Sequence, residues 1–112
     1  MAAHLAPGTH LACMGTGAGG EQGVEPVMVA RSRLFTDEVA QSVSIGGAQH
    51  AVAKGGDIVT LGGVLAGLKP GRQSASEIML FDGTGVALRD PAVAARAVAR
   101  ARERGQGVMV QV

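Results

Sequence analysis

Aromatic residues are nearly missing from this chain of 112 residues, which has no tryptophan, no tyrosine and only Phe35 and Phe81. Single-strand nucleic-acid binders use such rings as stacking platforms, and duplex binders need an excess of positive charge, whereas the formal net charge here is +1. Nucleic acid is therefore not an expected partner. The one cysteine, Cys13, cannot close an internal disulfide, so nothing points to an oxidising compartment. No apolar run is long enough to span a bilayer, and Met1 to Gly8 lacks the basic start and apolar stretch of a secretory signal. The expectation is a cytoplasmic, soluble chain with no membrane partner. His4, His10 and His50 stand at no metal-ligand spacing from Cys13 or from one another, so no metal site is expected. Charged residues make up 17% and nearly balance, which argues against disorder.

What is present is a small-residue apolar core in the making. Hydrophobic residues account for 46%, almost all Ala, Val, Leu, Ile and Met, and 18 glycines without a collagen-like period suggest tight turns between short elements. The length allows one domain or part of one.

Gly15-Thr16-Gly17-Ala18-Gly19-Gly20 satisfies G-x-G-x-x-G, follows the apolar run His10 to Met14, and has Asp37 about twenty residues downstream, as a dinucleotide-binding fingerprint would. That fingerprint works only if a helix starts at once, because the pyrophosphate sits on free N–H groups at a helix N-terminus. Here Glu21-Gln22-Gly23-Val24-Glu25-Pro26 follows. Gly23 weakens a helix, Pro26 cannot continue one, and two carboxylates repel phosphate. The run reads either as a phosphate cradle in a small independent dinucleotide binder or as a loop of another kind. Asp37 reads accordingly as a ribose-binding acid or as a strand-end turn or cap residue.

The pattern predicts a strand over Thr9 to Met14, a helical turn from Pro26 to Arg31, and a strand at Leu34-Phe35-Thr36. Helical pieces are expected over Glu38 to Ser44 and Ala48 to Lys54, separated by Gly46-Gly47. Ile58 to Leu68, apolar with interior glycines, reads as a short helix. Ile78 to Phe81 is a buried strand bounded by Asp82-Gly83. Asp90 is the expected N-cap, with Pro91 first, of a helix reaching Arg104 and stopping at Gly105. On it, Val93, Ala94, Ala97, Val98 and Ala101 form an apolar stripe opposite a solvated face with Arg96, Arg100 and Arg104. Val108 to Val112 would add a last strand. Such alternation gives an α/β fold with a short parallel sheet and flanking helices, with too few strands for a complete doubly wound domain. Cys13 reads as a buried small hydrophobe.

Three blocks together resemble the C-terminal part of the ornithine cyclodeaminase/mu-crystallin family. They are Pro7-Gly8-Thr9-His10 leading to Met14-Gly15, Lys69-Pro70-Gly71-Arg72, and Glu77-Ile78-Met79-Leu80-Phe81-Asp82-Gly83-Thr84-Gly85-Val86-Ala87-Leu88-Arg89-Asp90. The last is the most specific, since the family reads approximately E-I-T-L-F-x-S-V-G-x-A-L-Q-D there. The likeness runs from about His4 to the C-terminus. It implies residues 1–88 as the C-terminal half of a Rossmann-like NAD(P)-binding domain, and 89–112 as a helix and strand that return to a substrate and dimerisation domain. It also implies a longer N-terminal region carrying the phosphate loop.

By the same resemblance, Gly15 to Val24 becomes an active-site loop facing nicotinamide and substrate, where the family reads approximately G-A-D-x-P-G-K-x-E-L. The family's catalytic Asp falls on Gly17, its Pro on Gly19, its Lys on Glu21, its Glu on Gly23, and the Ser of F-x-S-V-G on Gly83. A carboxylate beside the reacting amine can take its proton and stabilise the developing cation, which Gly17 cannot do. No catalytic residue is assigned. Met14, Gly15, Thr16, Gly83 and Thr84 are the expected cofactor contacts, with NAD or NADP as cofactor, an amino acid or cyclic imine as substrate, and a homodimer at full length. The implied chemistry is hydride transfer, with deamination and ring closure in cyclodeaminases, which are lyases. A chain that lacks the family's loop carboxylate also reads as an inactive relic or interaction module, whose open sheet edges favour self-association.

Overall fold

The computed structural model describes residues 5–15, 18–50 and 57–110. Its elements are β1 (His10–Met14), α1 (Pro26–Arg31), β2 (Arg33–Thr36), α2 (Val39–Ile45), a 3-10 turn (Gly47–His50), β3 (Ile58–Thr60), α3 (Leu61–Leu65), β4 (Met79–Gly83) and α4 (Arg89–Glu103). The strands form one parallel sheet in the order β1-β4-β2-β3. The fourth strand therefore inserts between the first and second, and the chain crosses back over the sheet to reach that place. Such returns require the crossover segments that the sequence supplies between apolar runs.

Register explains the core. Leu11 pairs with Leu80, Leu80 with Leu34, and Leu34 with Ile58, so one face carries a continuous apolar row. Val29 of α1 and Ala48 of the 3-10 turn close over Leu34 and Leu80, with Leu11, Cys13, Val24, Val43 and Ile58 packed around them. Leu80 is fully buried, which stabilises the fold by about 1.5–3 kcal/mol. On the opposite face Phe35 and Phe81 are register partners, and with α3 and the Gly71-Arg72 turn they border an apolar groove of about 410 Å³. The Arg33 guanidinium pins that turn, donating to the carbonyls of Pro70 at 2.8 Å and of Gly71. Arg72 in turn donates to the carbonyls of Gly8 and Glu77.

Four local expectations change. Ile58 to Leu68 is not one helix: Ile58–Thr60 is a strand, because its β-branched residues extend beside β2, and the Thr60 hydroxyl then caps α3 by accepting from Gly63 N–H at 3.2 Å. The piece begun at Ala48 is a 3-10 turn over Gly47–His50, and Ala51 to Lys54 lies outside the described residues. The last helix starts at Arg89 with no side-chain cap, so Asp90 and Pro91 sit inside its first turn. Residues 108–110 form no strand and are exposed, while 111–112 lie outside the described residues.

The predicted stop of α4 at Gly105 holds, with φ +61 after Arg104. No residue of α4 is buried, and its apolar stripe is open, with Val93 68% and Val98 50% exposed. The radius of gyration of 17.3 Å exceeds the roughly 13 Å of a compact domain of this size. Among the described residues no helix is long and apolar enough to cross a membrane, and no group of His, Cys, Asp and Glu could hold a metal ion.

Candidate active site

In a parallel sheet all carboxyl ends lie along one edge, where backbone groups leave the ladder and ligands bind. Met14 stands beside Gly83 on that edge, and Thr36 stands between Asp82 and Thr60. The chain leaves these ends through Gly15 to Glu25, through Asp37-Glu38 and through Thr84 to Leu88.

Between the end of β1 (Ala12 to Gly15) and the segment Glu21 to Val24 opens a cleft of about 550 Å³. A smaller cavity of about 260 Å³ adjoins it through Cys13, Gln22, Gly23 and Val24 and reaches Leu11 and Met28 beneath. Of the glycine-rich run, Gly15 lines this cleft. Gly15 (φ +119) and Gly20 (φ +85) adopt left-handed backbone, and among the described residues a Cβ at either would meet nothing within 4 Å. Their need for glycine is conformational. No helix follows Gly20 directly: α1 begins only at Pro26, after Glu25, whose side chain makes no cap. The described residues therefore present no helix N-terminus where the fingerprint would hold a pyrophosphate.

The cleft wall is held from outside. Gln49 grips it twice, its Oε1 accepting from Gly20 N–H at 2.8 Å and its Nε2 donating to the Glu21 carbonyl at 3.2 Å, and His50 Nε2 lies 2.9 Å from the same carbonyl. Cys13 is half-buried, and burial, with the negative Asp82 beside it on β4, pushes its thiol above the usual value. A raised thiol is a poor nucleophile, and Cys13 packs against the core only half-buried, where the sequence reads a buried small hydrophobe.

Behind the edge lies a buried polar pair. Asp82 is fully buried, its Oδ2 accepts from the Ser42 hydroxyl, and its Oδ1 has no hydrogen-bond partner among the described residues. The Thr36 hydroxyl donates to the Asp82 carbonyl at 3.0 Å. Gly46 and Gly47 make room for the carboxylate: a Cβ on Gly46 would run into Asp82 Oδ2 and the Ser42 backbone, and one on Gly47 would come 3.3 Å from Asp82 Oδ1. By sequence Asp82 only bounds a strand and Gly46-Gly47 only separates two helical pieces. An aspartate closing an apolar strand was the available signal for a buried carboxylate.

Asp37 is neither free nor facing the cleft. Its Oδ1 accepts from the Thr84 hydroxyl at 2.7 Å, Thr84 N–H at 3.0 Å and Glu38 N–H at 3.0 Å. Its Oδ2 accepts from Gly85 N–H at 3.2 Å and pairs with Arg89 at 3.2 Å. Burial alone would push this carboxyl up, but the hydrogen bonds from Thr84, Gly85 and Glu38 outweigh it and hold it down at about 2. Of the expected contacts, Met14, Gly15, Gly83 and Thr84 thus gather along one edge, and Thr16 lies outside the described residues. Thr84 spends its N–H and hydroxyl on Asp37, and its carbonyl accepts from Gln41 Nε2 at 3.2 Å.

Comparison with known proteins places this arrangement. The profile of the ornithine cyclodeaminase/mu-crystallin family matches residues 1–105. The chain belongs to that family. It is 50% identical over 113 residues to the iminosuccinate reductase of Paracoccus denitrificans, covering 97% of this chain and 35% of that protein. It is 38% identical over 92 residues to the alanine dehydrogenase of Archaeoglobus fulgidus, covering 78% and 29% respectively. Among solved structures, the P. denitrificans iminosuccinate reductase in complex with NAD+ superposes with a TM-score of 0.79 at 48% identity, covering all of this chain and 36% of that one. The pyrroline-2-carboxylate reductase of Thermococcus litoralis in complex with NADH and L-proline gives 0.78 at 27%, covering 97% and 36%. The chain thus spans about a third of the length of these relatives, and its parallel sheet with flanking helices is the Rossmann-like arrangement of NAD-bound family members.

Proposed function

We propose that this chain forms the nicotinamide- and substrate-facing third of an NAD-dependent oxidoreductase acting on an amino acid or a small imine. The observation that supports this most is the cleft at the strand carboxyl ends, bounded by Met14, Gly15 and the Glu21 to Val24 wall in a chain of this family. Two of the expected contacts, Met14 and Gly15, line this cleft, and a Cβ on Gly15 would meet nothing within 4 Å among the described residues, which leaves a flat ring room to approach its backbone. They do not offer a phosphate cradle, so the remainder of the cofactor belongs to a part of the enzyme beyond these strands.

NAD, when bound, supplies a hydride acceptor or donor at its nicotinamide. Met14, Gly15, Thr16 and Gly83 would give that ring an apolar and backbone surface. Thr84 would contribute shape, since its polar groups serve Asp37 and Gln41. Glu21 lines the cleft wall, but no residue of this chain is assigned the proton transfer, because Gly17 stands where the family carries its carboxylate. Similarity to an iminosuccinate reductase and a pyrroline-2-carboxylate reductase favours imine reduction over the ring-forming lyase reaction. Residues 1–88 are the Rossmann portion in this reading, and 89–112 return to a substrate and dimerisation domain. Cytoplasmic location, a homodimer at full length, and NAD or NADP as the cofactor complete it.

Titration calorimetry of the 112-residue chain with NAD+ and NADP+, alongside size-exclusion chromatography, tests the reading. Binding of NAD+ at one site per chain, weak because the pyrophosphate finds no cradle among these residues, is the expected result. A second reading, a non-catalytic interaction module, is favoured by the open stripe of α4 and by Gly17; absence of any dinucleotide binding together with self-association would replace the enzyme reading with that one.

A further inference from the structure

We propose that Asp37 is the positioning residue of the strand-end edge that the candidate cleft borders: its carboxylate, at the end of β2, fixes the chain's exit from β4 and the first residue of α4, and so sets where Thr84 stands beyond Gly83, the register partner of the cleft residue Met14. The inference deepens the proposed function and rests on it for its cofactor arm. Three elements converge on this one group. Glu38 N–H comes from the start of α2, Thr84 and Gly85 from the segment after β4, and Arg89 from α4. The side chain is only 9% exposed, so these donors replace water around it. Both oxygens are committed, which leaves neither for the ribose hydroxyl that the glycine fingerprint would have given Asp37.

The leverage follows from what else holds these segments. After β4 the backbone turns at Gly85 (φ +85), where glycine relieves the left-handed strain but supplies no side chain to anchor the turn. Further along, α4 buries no residue, so its direction is decided in its first turn, by the Arg89 pair with Asp37 and by Arg89 N–H donating to the Val86 carbonyl at 3.0 Å. A carboxylate that collects charge-assisted hydrogen bonds from both segments makes the β4 exit beside the cleft and the helix move as one piece.

The test is residue-resolved amide exchange by NMR on the 112-residue chain, paired with NAD+ titration, for wild type, Asp37→Asn and Thr84→Val. In Asp37→Asn one oxygen becomes a donor, and it sits with less conflict at the Oδ2 place, where only Gly85 N–H and Arg89 then lose their acceptor. Gly85 exchange should quicken roughly tenfold or more, the amide at position 84 less, and Leu80 and Phe81 in the body of β4 not at all. The NAD+ dissociation constant should rise by roughly tenfold. Thr84→Val keeps both amides and loses only the hydroxyl, so exchange there should quicken about threefold, which keeps the proposal testable if Asp37→Asn does not fold. Unchanged exchange at 84 and 85, or equal acceleration at 80, 81, 84 and 85, overturns the assignment. So does a released Gly85 with NAD+ affinity intact. If wild type binds no NAD+ while the release is local, Asp37 still holds the β4 exit and it is the proposed function that falls.

Discussion

Met14 and Gly83 are register partners at the ends of β1 and β4, and the Met14 thioether fills the space that a side chain on Gly83 would take. A Cβ there would meet the Met14 sulfur, with Met14 Cε at 3.0 Å and Phe81 Cε1 at 3.2 Å. Methionine is unbranched and this one is 61% exposed, so it can swing away at little cost. Gly83→Ser, which installs the residue of the family pattern, should therefore destabilise the chain by about 1 kcal/mol or less in urea denaturation. Most of that loss should vanish in a Met14→Ala background, as a double-mutant cycle would show. A loss above about 3 kcal/mol that Met14→Ala does not relieve would mean that Phe81 or the strand itself, and not Met14, sets the limit.

Asp82 and Ser42 give the second prediction. The carboxyl is fully buried and the Ser42 hydroxyl is its one side-chain donor among the described residues, Oδ1 having none. Ser42→Ala leaves a buried polar group wholly unpaired and should cost about 1–3 kcal/mol. Thermal or urea unfolding reads this directly, and a variant as stable as wild type would show that the hydroxyl does not support Asp82.

What the sequence made legible was whatever repeats locally or punctuates the chain. Thr9 to Met14, Leu34 to Thr36 and Ile78 to Phe81 are read as strands, and strands stand there at His10–Met14, Arg33–Thr36 and Met79–Gly83. Pro26 at a helix start and Gly105 after a helix end are also read correctly, because each residue's backbone restriction is a property of that residue alone. The misread segments depended on distant partners. Ile58–Thr60 extends because β2 offers it a ladder, and α4 starts one residue before its expected cap, where Arg89 reaches an aspartate on another strand. The site was legible in part for the same reason. Its place at the strand ends followed from the fold class, but the grip of Gln49 on Gly20 and Glu21 and the hold of Asp37 on Thr84 join residues far apart in sequence, which no local pattern announces.

The pH dependence of stability should carry the signature of Asp37. Its folded value of about 2 lies below the ordinary 3.8, so the folded state favours the ionised form and the unfolded chain takes up the proton first. The stabilisation is fully present above the unfolded value and is lost as pH falls from there through the folded one. Arg89 is the facing cation, and Glu38, the neighbouring acid, engages Ala40 N–H instead at 3.3 Å. The stability difference between wild type and Asp37→Asn should then be constant from about pH 5 to pH 8 and shrink from about pH 4 toward pH 2. A difference that grows as the solution is acidified would contradict the assignment.

The last prediction concerns the wall of the cleft. Gln49 satisfies a donor and an acceptor of the glycine-rich segment at once, through Gly20 N–H and the Glu21 carbonyl, and both hydrogen bonds are exposed to solvent. Exposed neutral hydrogen bonds contribute little to global stability, so Gln49→Ala should shift the unfolding free energy by less than about 1 kcal/mol. Its local effect should be larger, because a left-handed glycine at Gly20 resists disorder only while something holds it. A glutamate-specific protease should cut after Glu21 several-fold faster in Gln49→Ala, with other sites unaffected. Gln49→Glu separates the two contacts: it keeps an acceptor for Gly20 N–H, loses the donor to Glu21, and places a second oxygen against that carbonyl. It should therefore be cut at least as fast as Gln49→Ala if the Glu21 contact holds the wall, and close to the wild-type rate if the Gly20 contact does. Cleavage unchanged in both variants would leave His50, 2.9 Å from the Glu21 carbonyl, as the residue that holds the wall in place.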